Sequence, residues 1–296
     1  MQRRGRTIFR RLVVLVDQSA PEGGSFRQAL EWAQRLHVPM LGISPSAWDF
    51  AEGSGSSEGL RQTAPARGSR GGEGVGIHWN NVAQACARAC ADRKVSWQLT
   101  RWPERFATGL VRIAGNEDLF MFSRRTPAVH KHEILRDALR PEAPATLICA
   151  DNGIPASRVL VLDNAACLDK SFLRTAAHIC LSLQLTPVVV SVAGSEKAAT
   201  QRQQAAFRAF ADCNVEASFD YLVGCEVRSA VTQIASWRRC QMVIGQHKAS
   251  APWRRWLRDT TVEELMGVPE ALSFLALSHT NRLTVAVPAV ELAELP

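Results

Sequence analysis

The sequence repeats itself, and that repetition limits the fold more than any single motif does. "LVVLVDQSA" (12–20) and "RVLVLDNAA" (158–166) each run an apolar, β-branched stretch into an aspartate, Asp17 and Asp163, 146 positions apart. At the same offset Ser25-Phe26 stands opposite Ser171-Phe172, each opening a helix-like periodicity. A second strand follows in each half, "VPMLGIS" (38–44) and "TPVVVSV" (186–192). Further on, "ARACADRKV" (87–95) runs in step with "FRAFADCNV" (207–215), and "LFMFS" (119–123) with the stretch ending "MVIG", placing Ser123 opposite Gly245. Each half then carries "LRD" (135–137 and 257–259) and a last strand, "ATLICA" (145–150) or "LSFLALS" (272–278).

The offset changes because residues 51–76 are an insertion in the first half alone. This stretch holds eight of the 19 glycines and almost no large apolar side chain. It cannot bury enough surface to offset its ordering entropy and is expected to be a mobile loop. Its "GGEGVG" follows no predicted strand, so it is not read as a dinucleotide fingerprint.

Each half therefore reads β-α-β-α-β-α-β-α-β. Short, continuous apolar strands between amphipathic helices imply a parallel sheet covered on both faces, a doubly wound, Rossmann-like α/β fold in tandem. Ligand crevices are then expected at the carboxyl ends of the strands, where Asp17, Asp163 and the loop after Gly245 fall. The domains are read as 1–151, with the insertion, and 155–296, ending in an edge strand.

The chain has 296 residues, long enough for two cores. Eight cysteines without a CxxC pair read as reduced thiols. The opening apolar run, Leu12–Val16, is too short for a signal peptide, and no stretch approaches a membrane span. A cytoplasmic protein with no membrane partner is expected. The net charge of +7 permits nucleic-acid contact, but the N-terminal arginines have no aromatic residues interleaved with them.

"VVLVDQSA" and "VLVLDNAA" on the first strand, "NEDLFMFS" and "RCQMVIG" on the fourth, and "YLVGCEV" (221–227) after the third together resemble the universal stress protein family, in two tandem copies. The resemblance implies a sheet ordered 3-2-1-4-5 in each copy, a dimer or intramolecular pseudo-dimer, and a role in stress survival. It also implies, for members that bind ATP, a loop G-x-x-G, nine residues, then G-[S/T]. Small residues there let backbone amides curl around phosphate.

Laid on that loop, the second repeat has Gly245 first, Lys248 for the second glycine and Arg258-Asp259 at the closing pair. The first repeat has Ser123, Thr126 and Arg136-Asp137, with no glycine. A carboxylate at Asp259 or Asp137 would repel a phosphate, and Asp259 suits the N-cap of "TTVEELM". Lys248, Arg254, Arg255 and Arg258 offer side-chain charge in place of lost amides. By resemblance Asp163 and Asp17 lie near the adenine and ribose; read as residues alone, each caps the turn that follows its strand.

Other clusters read as structural. His130, His132 and Glu133 in "VHKHE" lack further ligands. Cys86 and Cys90, four apart, are read as small fillers of an amphipathic helix. Three functional readings follow. The first is a non-catalytic stress-associated regulator with degenerate nucleotide sites, whose partners are proteins or a second copy of itself. The second keeps ATP in the second repeat through Asp163, Gly245, Lys248 and Arg254, with Asp17 a weaker candidate, and with slow hydrolysis. The third is nucleic-acid binding through the arginine tail and residues 238–258.

The two apolar last strands must be paired or covered. The short connection "DNGIPAS" (151–157) holds the halves close together. An internal pseudo-dimer is expected, with a seam made by the last strands and by "LTVAVPAV" (283–290), which Pro288 confines to an edge.

Overall fold

β-Branched and aromatic runs buried on both faces of a sheet give the strands of this protein, and ten of them form one sheet in the computed structural model. The structure describes residues 8–17, 20–44, 72–102, 110, 112–126, 134, 143–150, 156–163, 170–224, 227–247 and 272–278. The first half supplies β1 (Arg11–Leu15), β2 (Met40–Ser44), β3 (Trp97–Arg101), β4 (Asp118–Ser123) and β5 (Ala145–Cys149). The second supplies β6 (Arg158–Asp163), β7 (Thr186–Ala193), β8 (Ser218–Val223), β9 (Met242–His247) and β10 (Ser273–Ser278). Their order is β3-β2-β1-β4-β5-β10-β9-β6-β7-β8. Each half is thus ordered 3-2-1-4-5, and the two join as a single sheet.

Within each half every pairing is parallel. Only β5 and β10 are antiparallel, with Leu147 opposite Leu275 and Ile148 opposite Phe274. Register shows that this seam is symmetric. Met121 pairs with Leu147 as Ile244 pairs with Leu275, all four on one face of the sheet, and Phe120 pairs with Thr146 as Val243 with Phe274. Ser123 therefore stands level with Gln246 rather than with Gly245, and Leu147 corresponds to Leu275 and faces its own counterpart across the seam. That reciprocity is the mark of a two-fold contact, here inside one chain. The "LTVAVPAV" segment lies outside the described residues.

Among the described residues five helices cover the sheet: α1 (Gly24–Leu36), α2 (Gly72–Asp92), α3 (Lys170–Leu183), α4 (Glu196–Ala211) and α5 (Val227–Trp237). Residues 72–76, read above as the end of the insertion, belong to α2. The sides of the sheet follow from the two-residue period of a strand. Leu12, Val14, Met121, Leu147, Val161, Ile244 and Leu275 enter one continuous core beneath α1–α4 that crosses the seam. Val13, Leu15, Phe120 and Phe122 form a separate core on the opposite face of the first half. Leu160, Leu162, Val188 and Val243 form its counterpart under α5.

α1 packs against α3 across the seam. There Arg35 Nη1 donates to the carbonyl of Leu183 at 2.7 Å, capping the last turn of α3 from the other half. The two helices match by burial one residue away from the Ser-Phe alignment. Ser25, Phe26, Gln28, Ala29, Leu30, Trp32, Ala33 and Leu36 are buried in α1, and Phe172, Leu173, Thr175, Ala176, Ala177, Ile179, Cys180 and Leu183 in α3. Phe26 therefore corresponds to Leu173; the shared dipeptide is coincidental. The helix ends agree with this correction, because the left-handed residues His37 (φ 54) and Gln184 (φ 55) terminate them. Lys94 (φ 56) and Asn214 (φ 55) do the same after α2 and α4, which upholds that second alignment.

The charged start of β4 is also fixed. Asp118 is fully buried, accepts from the Gly115 backbone at 2.9 Å and pairs with Arg11 at 2.9 Å and Arg10 at 3.3 Å. Arg11 also donates to the Ile113 carbonyl. This satisfied cluster ties β1 to the entry of β4 at the end of the sheet opposite the crevices.

Candidate functional site

Asp163 is the last residue of β6, so its side chain emerges at the carboxyl edge of the second half. It is 2% exposed. Arg202, from α4, places Nη1 at 3.1 Å from its Oδ1, and Ser191, near the end of β7, donates Oγ–H to Oδ2 at 3.5 Å. The Arg202 side chain is 14% exposed. The carboxylate charge is therefore balanced by the protein's own cation in a nearly water-free position. Such a pair needs both partners, because either charge left alone there is costly.

α4 brings Arg202 to this place. Ser195 caps the helix by accepting from Ala198 N at 3.4 Å, and the buried Ala199, Ala206 and Ala209 define its inward stripe. Arg202 lies on that stripe, where α2 carries Val82. The residue was not singled out in the sequence. Its detectable signal is a charge at a helix position whose counterpart in the other repeat is a buried valine.

Gly245 does not open a turn. β9 continues to His247, and Gly245 pairs with Leu162 on one side and Ala276 on the other. A Cβ there would stand 3.1 Å from Cζ of Phe274. The missing side chain makes room for the Phe274 ring. Gln246, next along the strand, is buried. Lys248 and Arg254, and with them Arg255, Arg258 and Asp259, lie outside the described residues.

In the first half Asp17 sits two residues past β1. Cys86 of α2 faces it: burial, then Cys90, then the Asp17 charge push the Cys86 thiol up to about 12. After β4 the chain folds tightly onto Ser123. Ser123 Oγ accepts from Arg125 N at 3.0 Å, its carbonyl accepts from Thr126 N at 3.1 Å, and Arg124 N donates to the Cys149 carbonyl at 3.1 Å. Arg124 and Thr126 are buried.

The six described cysteines, Cys86, Cys90, Cys149, Cys180, Cys213 and Cys240, carry free thiols. Burial raises Cys180 to about 12, and Cys90 and Cys240 to about 11. Cys213 Sγ lies 3.7 Å from His178 Nε2, yet burial raises that thiol and lowers the imidazole, which leaves both neutral and poorly suited to nucleophilic work. Among the described residues no group of three or more metal-ligating side chains converges. His130, His132 and Glu133 lie outside them. No helix among the described residues is long and apolar enough to cross a membrane.

Solved structures with the same architecture include universal stress proteins. One from Archaeoglobus fulgidus DSM 4304 superposes with a TM-score of 0.59 at 8% identity, covering 90% of this chain and 96% of its own. A candidate universal stress protein from Pseudomonas aeruginosa UCBPP-PA14 reaches 0.55 at 14% identity, with 94% and 96% covered. A functionally unknown protein of Pseudomonas aeruginosa PAO1 reaches 0.56 at 13%, with 94% and 95% covered. No protein-family model matches the sequence, and no curated protein does. The fold is that of the universal stress proteins in tandem form, matched along nearly the whole chain.

Proposed function

We propose that this chain is a non-catalytic regulatory protein of the universal stress protein type in which both nucleotide sites are degenerate. The observation that carries this reading is the Arg202–Asp163 pair, which gives the second-repeat aspartate a partner from the chain itself. Asp163 is the position that the family resemblance assigns to adenine and ribose. A nucleotide entering there would have to displace or share a buried guanidinium, and the binding energy would be reduced by what that costs. In the first repeat the tight turn at Ser123 and the buried Arg124 and Thr126 support the same conclusion.

With no nucleotide to turn over, the protein acts through contacts with proteins. Phe207, Tyr221 and Val223 are exposed apolar side chains on and beside the edge strand β8, which suits association with a partner or with a second copy.

Native mass spectrometry of the freshly purified chain tests the reading. The expected result is a mass equal to that of the polypeptide. A stoichiometric adenine nucleotide that disappears in Asp163→Ala would establish the second repeat as an ATP site instead.

A further inference from the structure

The two halves share a second likeness, one that the fold does not demand. With α1 matched to α3 by burial and α2 to α4 by their left-handed ends, Arg27 corresponds to Arg174, Gln84 to Gln204, Arg88 to Arg208 and Asp92 to Asp212. Asn81 corresponds to Gln201, keeping the amide. All ten side chains belong to exposed residues. Buried positions of the same helices agree in part, Ala29 with Ala176 and Leu36 with Leu183, and differ in part, with Trp32 against Ile179, Cys86 against Ala206 and Cys90 against Phe210. Packing accounts for agreement at buried positions but not at exposed ones, so the shared exposed side chains need another cause.

In the second half these residues line one groove of about 260 Å³ between α3 and α4. Lys170, Arg174 and Arg208 bring three cations to it, Gln201 and Gln204 bring amides, and Ala205 and Ala209 leave the floor open. Asp212 is the one carboxylate lining the groove, and it lies 3.3 Å from Arg174. Both partners of that pair are more than half exposed, so the pair contributes little and accounts for neither glutamine nor Arg208. Among the described residues Lys170 and Arg208 enter no ion pair.

We propose that this groove binds a small phosphate-bearing molecule, and that the α1–α2 surface formed by Arg27, Gln84 and Arg88 is its second copy. Guanidinium groups grip tetrahedral oxyanions through paired N–H donors, and amides serve hydroxyls of an attached body. The space suits a small molecule rather than a polymer. The site is separate from the crevice at Asp163 and does not rest on the state of that crevice.

Titration calorimetry of the full chain with inorganic pyrophosphate, at fixed ionic strength, tests this. The expected result is saturable binding to two sites per chain. Arg208→Gln should weaken one site and Arg88→Gln the other, each at least tenfold, while Asp163→Asn leaves both unchanged. Exposed side chains can be replaced without loss of fold, so the melting temperature of both arginine variants should stay at the unmodified value. The proposal is overturned if pyrophosphate does not saturate, if binding survives both substitutions together, or if citrate binds as tightly as pyrophosphate.

Discussion

The Arg202 guanidinium lies 3.1 Å from the Asp163 carboxylate, joining α4 to the end of β6 across 39 residues of sequence. Both groups are withdrawn from water, so the pair stabilises only while it is complete. Arg202→Ala is expected to cost about 3 kcal/mol, since it takes a hydrogen-bonded cation from a buried carboxylate. The paired replacement Arg202→Met with Asp163→Asn should recover most of that loss. Urea denaturation of the three proteins measures both values, and an unchanged midpoint in Arg202→Ala would mean that the pair is not formed in solution.

Leu147 and Leu275 face one another at the centre of the seam, both fully buried. Truncating either to alanine should cost about 2–5 kcal/mol through lost burial and the cavity left behind. Because they are direct partners, the double variant should depart from additivity by more than about 0.5 kcal/mol. Strict additivity in chemical denaturation would place the two side chains in separate environments and break the account of the seam.

Two strand glycines differ in what lies over them. A Cβ on Gly42 of β2 would stand 2.1 Å from the Trp97 ring and 2.9 Å from a Leu99 methyl, whereas at Gly245 the nearest atom is Phe274 Cζ at 3.1 Å. Gly42→Ala should destabilise by about 1–3 kcal/mol through overpacking. Gly245→Ala should cost less, since the Phe274 ring needs to move only slightly. Thermal denaturation ranks them, and the reverse order would contradict the packing described.

The buried thiols make stability depend on alkali. Folding raises Cys86 and Cys180 from 9.0 to about 12, and Cys90 and Cys240 from 9.0 to about 11, so the folded state holds these protons more tightly than the unfolded chain. Their contribution is fully present below pH 9 and falls as pH rises from there toward 12. Urea midpoints measured from pH 8 to pH 11 should decline, and replacing Cys86 and Cys180 with alanine should flatten the decline. Iodoacetamide at pH 8 should label these four only after unfolding; rapid labelling of the native protein would contradict their burial.

Much of the architecture was legible because it rests on local composition. Apolar runs gave the strands and which strands pair, but both strand offsets were one residue short: Leu12 joins Leu119 as Val159 joins Met242, all four in one core. The last strands met as their unpaired edges required. What escaped was set by tertiary packing. Ser25-Phe26 and Ser171-Phe172 agree in letters, but burial places Phe26 with Leu173. Glycines at 72–76 suggested a loop, yet this stretch is the start of α2. Gly245 looked like a turn, but strands on both sides hold it in the sheet, and its small size serves Phe274. Arg202 escaped because an arginine among glutamines in "QRQQ" reads as a solvated helix face until the opposite repeat shows Val82 at that position.

The most direct test of the central claim is calorimetric titration of MgATP into the unmodified chain and into Asp163→Asn. The account expects the two isotherms to coincide, because Asp163 is held by Arg202 and serves no nucleotide. Micromolar binding to the unmodified chain that is lost in Asp163→Asn would contradict it.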